Sequence, residues 1–260
     1  MSIEVEHLSF SYGTHAVLRD ISFCAGEGEL LSVLGPNGVG KSTLFRCMLA
    51  QLQPESGRCC IGGTDVRQMT VRELARQIAY IPQSHSPVFN YTVHDMVLMG
   101  TTTQMGSFSC PRQAQIDAAD AAIDRLGIGF LKDRGYRNIS GGERQLVLIA
   151  RAMAQQARIL IMDEPSSSLD FGNRIRVMQT LRSLVADGYT VIQSTHDPDQ
   201  AYRYSDNILA LHEGRALDWG PPQKILRDDL MSRLYGLDIT VCNLQEDSVR
   251  VCIPKDINFN

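Results

Sequence analysis

Gly35 to Thr43 read GPNGVGKST, the pattern G-x-x-x-x-G-K-[ST], set between the apolar run LLSVL and a stretch with helical periodicity. That context is what phosphate binding asks of the pattern. Gly35, Gly38 and Gly40, with Pro36 and Asn37 among them, let the backbone fold round an anion and turn its N–H groups inward. The N-terminus of the following helix adds the positive end of its dipole. Lys41 is placed to reach the β- and γ-phosphates and Ser42 to offer its hydroxyl to Mg2+, while Thr43 completes the motif. These residues predict a nucleoside triphosphate site. Alone they do not separate kinases, GTPases and transport ATPases.

A second group is ILIMDEP, from Ile159 to Pro165. A buried apolar strand would deliver two carboxylates rigidly to its C-terminal end, where the ligand sites of α/β proteins form. Asp163 is a candidate to hold Mg2+ through its coordinated water, and Glu164 to orient or deprotonate an attacking water.

The third group is Ser140-Gly141-Gly142-Glu143. S-x-x-E is a capping box, in which the Ser and Glu side chains satisfy backbone donors at the start of a helix. Capping accounts for Ser140 and Glu143. It leaves the two glycines as a cost, each about 0.8–1.0 kcal/mol against alanine. Glycine is useful where backbone must come close to a ligand, and bare N–H groups at a helix start form a phosphate surface. The chain already has one cradle at Gly35–Thr43. The second grip is therefore expected to serve the nucleotide of another subunit.

These groups need particular elements behind them. IEVEHLSFSY alternates like a half-exposed strand, and AVLRDISFCAGEGELLSVLG reads as a strand, a turn and a buried strand ending at Gly35. A helix is expected from about Gly40 to Leu52, stopped by Pro54 and Gly57. Thr70 with Glu73 caps a short helix, and IAYIPQ is a strand closing at Gln83. From Ser84 to Arg137 strand patterns give way to helical ones, as in QIDAADAAIDRLGI, which predicts a helical insertion. Beyond Ser140, helices alternate with the buried strands RILIMDEP and YTVIQSTH, the pattern of parallel βαβ units. A hairpin is expected to turn at Glu213–Gly214, and a second one to occupy DITVCNLQEDSVRVCIP, for which patterning suggests no role.

ISGGE, Ile139 to Glu143, is similar to the signature motif of the ATP-binding subunits of ABC transporters, usually written LSGGQ, with Ile139 for Leu and Glu143 for Gln. The resemblance covers nearly the whole chain, with its motifs in the family's order. It implies an α/β fold: a P-loop NTPase (RecA-like) core with an antiparallel β subdomain and an inserted α-helical subdomain. The expected layout is one ATPase domain over residues 1–260. Within it, 1–83 and 138–236 form the core with its β subdomain, 84–137 the helical subdomain and 237–260 a C-terminal extension. The resemblance further implies that Tyr12 in FSYG stacks on adenine and that Gln83 in YIPQ contacts Mg2+ or water and reports to a membrane subunit. Asp170 in SSSLD would lie near a dimer seam, and His196 in QSTHD would contact the γ-phosphate. Two copies would pair head to tail, each ATP lying between one copy's P-loop and the other's Ser140, Gly141 and Gly142. Lys41, Gln83, Glu164 and His196 would carry the hydrolysis.

The resemblance also implies separate polytopic permease subunits, expected to dock near residues 84–106, and indirectly an extracytoplasmic substrate-binding protein. YTVHDMVLMG, with a capped helix start at Thr92, is similar to the matching stretch of metal-chelate importers for iron–siderophore, haem and cobalamin, and of related molybdate systems. Asp95 and Thr101 stand where those members often carry Glu and Arg. A molybdate or tungstate importer of the same family, and a soluble ABC ATPase not coupled to transport, are the alternative readings.

The bulk numbers agree with this frame. A net charge of -4 gives no broad attraction to nucleic acid or anionic lipid, and no nucleic acid is expected as partner. The apolar runs fall far short of the roughly 18–20 residues needed to cross a bilayer. MSIEVEHLSFSYG lacks the form of a signal peptide. The expected place is the cytoplasmic face of the cell membrane, peripherally bound. Seven cysteines without CxxC spacing argue against a zinc site, and their odd number against a complete disulfide framework. Most are expected to be reduced packing residues.

Overall fold

The computed structural model describes residues 2–83, 89–105, 110–244, 246 and 249–255. Parts of two expectations, the docking stretch at 84–88 and 106 and the extension at 245, 247, 248 and 256–260, lie outside the described residues. The strands are β1 (Ile3–Tyr12), β2 (His15–Ala25), β3 (Leu30–Leu34), β4 (Ser56–Ile61), β5 (Thr64–Asp65), β6 (Ile78–Ile81), β7 (Ile159–Met162), β8 (Thr190–Thr195), β9 (Asn207–His212), β10 (Arg215–Gly220), β11 (Ile239–Leu244) and β12 (Val249–Pro254). The α-helices are α1 (Lys41–Met48), α2 (Val71–Gln77), α3 (Val93–Leu98), α4 (Gln113–Arg125), α5 (Gly141–Ala154), α6 (Phe171–Ala186), α7 (Pro198–Tyr204), α8 (Pro222–Ile225) and α9 (Asp228–Tyr235). Chain packing divides these into two compact units, Met1–Gln68 with Thr190–Asn260, and Met69–Tyr189.

The first unit holds an antiparallel sheet in the order β2-β1-β4-β5. Its β1 alternates buried and half-exposed residues up to His7, where φ reaches 48° and the register slips. The same unit holds β9, β3 and β8 as parallel neighbours, with β10 antiparallel at the edge of β9. Every residue of β3 and β8 is buried. A parallel strand covered on both faces reads as a continuous apolar run, which is why LLSVL was legible. The β9–β10 hairpin turns at Glu213 and Gly214, both with positive φ (46° and 74°), as a tight primed turn requires. Gly214 also lies hard against β2: a Cβ there would overlap the Val17 carbonyl, and its own carbonyl accepts the Arg19 N–H at 2.7 Å.

Helix α1 is shorter than the sequence suggested, ending at Met48 rather than Leu52. Ala50 adopts a left-handed φ of 52°, and the Leu52 N–H returns to the Arg46 carbonyl at 3.3 Å, so the helix closes with a C-terminal loop before Pro54 is reached. The strand expected over IAYIPQ stops at Ile81, ahead of Pro82. The second hairpin forms as expected, β11 against β12.

The second unit pairs β6 with β7 in parallel and packs α5 against α3 and α4. Capping boxes open three of its helices at the expected residues: Thr70 with Glu73, Thr92 with Asp95, and Ser140 with Glu143. Among the described residues no helix is long and apolar enough to cross a membrane. Cys47, Cys59 and Cys60 are buried as packing residues, and burial pushes the Cys47 thiol up to about 11. Cys110 is exposed.

Candidate active site

In the first unit, the cradle joins the end of β3 to α1. Gly38 and Gly40 have φ of 84° and 107°, the left-handed region that glycine enters without cost. Gly40 is held close to β2, with the Leu18 methyl and the Val17 carbonyl at 3.0 and 3.1 Å from where a Cβ would stand. Lys41 is only 6% exposed, and its ammonium donates to the carbonyls of Gly35 (2.7 Å) and Pro36 (2.9 Å). The side chain thus curls back over the loop that precedes it, with its charge held at the start of that loop. Ser42 is exposed in the first turn of α1.

His196 follows β8. Because Leu34 pairs with Thr195, the cradle and His196 leave neighbouring parallel strands at the same end, and the Gly35 N–H donates to the Thr195 carbonyl at 3.2 Å. Tyr12 closes β1 with its ring 46% exposed and edge-on to Phe10, the centroids 4.8 Å apart.

In the second unit, Ile81 pairs with Met162, so Gln83 and the Asp163–Glu164 pair leave β6 and β7 at a common end. The Asp163 N–H extends the pairing to the Ile81 carbonyl at 2.9 Å, and the Asp163 side chain is buried. Glu164 has a φ of 46°, an uncommon conformation for a residue with a side chain and one that concentrates at functional sites. Its Oε2 accepts a hydrogen bond from Gln83 Nε2 at 3.2 Å, so two residues singled out separately in the sequence meet. Ser167 Oγ donates to the Glu164 carbonyl at 3.2 Å and supports the turn.

Ser140 caps α5: its Oγ accepts the Glu143 N–H, and Glu143 Oε2 accepts the Ser140 N–H at 2.7 Å. That backbone donor and the Ser140 hydroxyl hold the Glu143 carboxyl below the usual range. The two glycines behind the cap differ. Gly141 is exposed, and a Cβ there would meet only Leu169, at an ordinary 3.5 Å. Gly142 is buried against α6, and a Cβ there would collide with the side chain of Asn173. Close approach to a ligand is therefore not the only reason for the pair. Gly142 has a packing reason of its own.

Asn173 in turn connects this cap to Asp170. Its backbone N–H donates to Asp170 Oδ1 at 2.9 Å and its amide to Oδ2 at 2.7 Å, which together hold the Asp170 carboxyl below the usual range. Sequence reasoning missed Asn173. Its only local signal is the three-residue spacing from a helix-capping Asp.

The glycine difference predicts unequal stability effects. Gly141→Ala should leave the urea midpoint unchanged or raise it, by up to about 1 kcal/mol of helix propensity. Gly142→Ala should lose about 1–3 kcal/mol from overpacking. Adding Asn173→Ala to Gly142→Ala should restore part of that loss. Equal midpoints for the two single variants would refute the packing account.

The sequence profile of the ABC transporter family matches residues 18–167. An uncharacterised ABC transporter ATP-binding protein of Haemophilus influenzae is 40% identical over 235 residues, 90% of this chain and 89% of that protein. The hemin import ATP-binding protein HmuV of Bordetella pertussis is 34% identical over 93% of this chain and 94% of its own length. Among solved structures, an ABC transporter described as of the metal-chelate type, in an inward-facing conformation, matches at a TM-score of 0.87, with 31% identity over 97% of both chains. The match spans the cradle, the acidic strand end and the capped glycine pair alike, and the fold is that of an ABC cassette. The chain belongs to the ABC transporter family, as a subunit that binds and hydrolyses ATP.

Proposed function

We propose that this subunit drives import of a metal chelate, working as a head-to-tail homodimer beneath separate permease subunits on the cytoplasmic face of the membrane. The observation that carries the chelate class is the full-length likeness to a hemin import subunit and to a metal-chelate type transporter. An extracytoplasmic binding protein would supply the chelate. No nucleic acid takes part.

In this reading residues 1–260 form one ATPase domain, with 84–137 as helical subdomain and 237–260 as extension. Tyr12 stacks on adenine. The Gly35–Thr43 backbone and Lys41 hold the phosphates, and His196 contacts the γ-phosphate. The partner copy's cap, Ser140 to Gly142, closes over it, with Asp170 at the seam. The donors assigned to Mg2+, the Ser42 hydroxyl, the Asp163 carboxylate and the Gln83 amide oxygen, are all hard oxygens, the set this ion prefers. When bound, the ion would neutralise charge on the β- and γ-oxygens. Glu164 accepts a proton from water as the water oxygen bonds to the γ-phosphorus and the β–γ bridging oxygen leaves with ADP. Losing the γ-phosphate removes the group that bridges the two copies, so the dimer loosens and the permease is released to move.

In this reading the permease subunits dock near residues 84–106, and a groove beside α3 supports it. Tyr91, Leu98, Met99, Thr102, Met105 and Pro111 line a groove of about 470 Å3, with Asp95 the one acidic member among the described residues. Its apolar walls suit a short amphipathic helix. The test is uptake by a strain lacking this chain. Restoring the chain, but not its Glu164→Gln form, should restore uptake of a ferric chelate, hemin or cobalamin. Rescue of molybdate uptake alone would move the assignment to the oxyanion branch, and rescue of none would detach the subunit from import.

A further inference from the structure

The peptide that joins His196 to Asp197 is held at both of its polar ends. Its carbonyl accepts a hydrogen bond from the Tyr235 hydroxyl at 2.9 Å. Its N–H donates to Thr195 Oγ1 at 3.1 Å. A peptide unit is planar, so fixing both ends fixes its rotation. That rotation sets the direction in which the His196 side chain leaves the end of β8.

Tyr235 is itself held from behind. It ends α9, and Gly236, at φ 67°, turns the chain into β11. Ser232 Oγ accepts the Ile239 N–H at 2.9 Å across that turn. The inner face of the β11–β12 hairpin, with Ile239, Val241 and Cys252, joins Tyr235 and Tyr202 in one apolar cluster with Leu234 of α9. The Cys252 N–H donates to Asp199 Oδ1 at 3.1 Å, in the first turn of α7. Arg250 lies over the Tyr202 ring, 5.3 Å from its centroid, and donates to the carbonyls of Gln223 and Leu226. The hairpin therefore grips α7 three residues beyond His196, while Tyr235 grips the loop at His196 itself.

We propose that Tyr235, backed by the C-terminal hairpin, is a positioning residue for His196 in ATP hydrolysis. The inference rests on His196 being the γ-phosphate contact. It assigns a task to the extension from 237 onward, for which sequence patterning suggests none. Burial, and then the neighbouring Cys252, Asp197 and Asp199, raise the Tyr235 phenol above its ordinary range, so it stays protonated and remains a donor.

The test is steady-state ATP hydrolysis by the full chain, with kcat and KM read separately and the thermal midpoint taken alongside. Tyr235→Phe removes one oxygen and keeps the ring. It should lower kcat about three- to tenfold, the size expected for loss of one neutral hydrogen bond, with KM for ATP and the midpoint unchanged. Asp199→Ala, which removes the acceptor for Cys252, should act in the same direction. Asp199→Asn keeps a carbonyl oxygen there and should restore the rate. This pair carries the test even where the tyrosine variant folds poorly. His196→Ala is run in parallel. If it abolishes turnover while Tyr235→Phe and Asp199→Ala keep the parental kcat, the positioning role is wrong. If the rate falls only in proportion to folded protein lost, Tyr235 is structural and the proposal fails. If His196→Ala hydrolyses ATP normally, the reading of His196 itself is at fault, and the proposal goes with it.

Discussion

Replacing Glu164 by Gln should leave ATP binding intact while lowering turnover by about 10²–10⁴-fold, the range a positioned general base contributes. The substitution keeps the side chain's length and shape. It also keeps an oxygen that can accept the Gln83 amide, which donates to Glu164 Oε2 at 3.2 Å. What disappears is the capacity to take a proton from water. The left-handed backbone at position 164, φ 46°, strains Gln no differently from Glu, so the fold should not register the change. With binding kept and hydrolysis blocked, nucleotide accumulates in the state that bridges two copies. Size-exclusion chromatography should then move the variant from monomer to dimer on adding ATP, while ADP leaves it monomeric. Parental turnover in this variant would assign the base elsewhere. Blocked turnover without an ATP-dependent dimer would keep the base and remove the head-to-tail arrangement.

What could be read from the sequence follows the range of the forces involved. The capping boxes at Thr70, Thr92 and Ser140 are closed by hydrogen bonds that span three residues, so spelling alone suffices. The buried strands were visible because a strand covered on both faces has no polar side to show. The Glu213–Gly214 turn was visible because few residues accept two consecutive positive φ angles. The end of α1 was not visible: it depends on Ala50 adopting a left-handed conformation that alanine does not advertise.

The site divides in the same way. The cradle and the DE pair are local spellings. The meeting of Gln83 with Glu164 is not, since the pairing of β6 with β7 brings together residues 81 positions apart. The packing reason for Gly142 lies in Asn173, on another helix, and the hold on the His196 carbonyl comes from Tyr235, 39 residues later. Both contacts are products of tertiary packing, and no window along the chain contains them. Gly141 and Gly142 are a pair in spelling, and the fold treats them differently.

Lys41→Ala should weaken ATP binding by about 10- to 150-fold, the equivalent of one charge-assisted hydrogen bond worth about 1.5–3 kcal/mol. For the proposed role the lysine would need little further ordering. Two of its N–H donors go to the carbonyls of Gly35 and Pro36, at 2.7 and 2.9 Å, so the flexible stem is already ordered and less entropy is lost on binding. Those same bonds fix the ammonium at the mouth of the cradle, where the phosphates would lie against the backbone N–H groups. Arginine should not substitute. One guanidinium nitrogen has only two N–H groups, so meeting both carbonyls leaves that atom no donor for a phosphate, whereas the ammonium keeps a third. Lys41→Arg should therefore lose most of the affinity although it keeps the charge. The measurement is the Kd for a slowly hydrolysed ATP analogue, with the melting midpoint as the control for folding. Unchanged affinity in Lys41→Ala would mean that the triphosphate does not sit in the Gly35–Thr43 loop. Full affinity in Lys41→Arg with loss in Lys41→Ala would mean that charge alone, not the convergence of the two carbonyls, is what the loop requires.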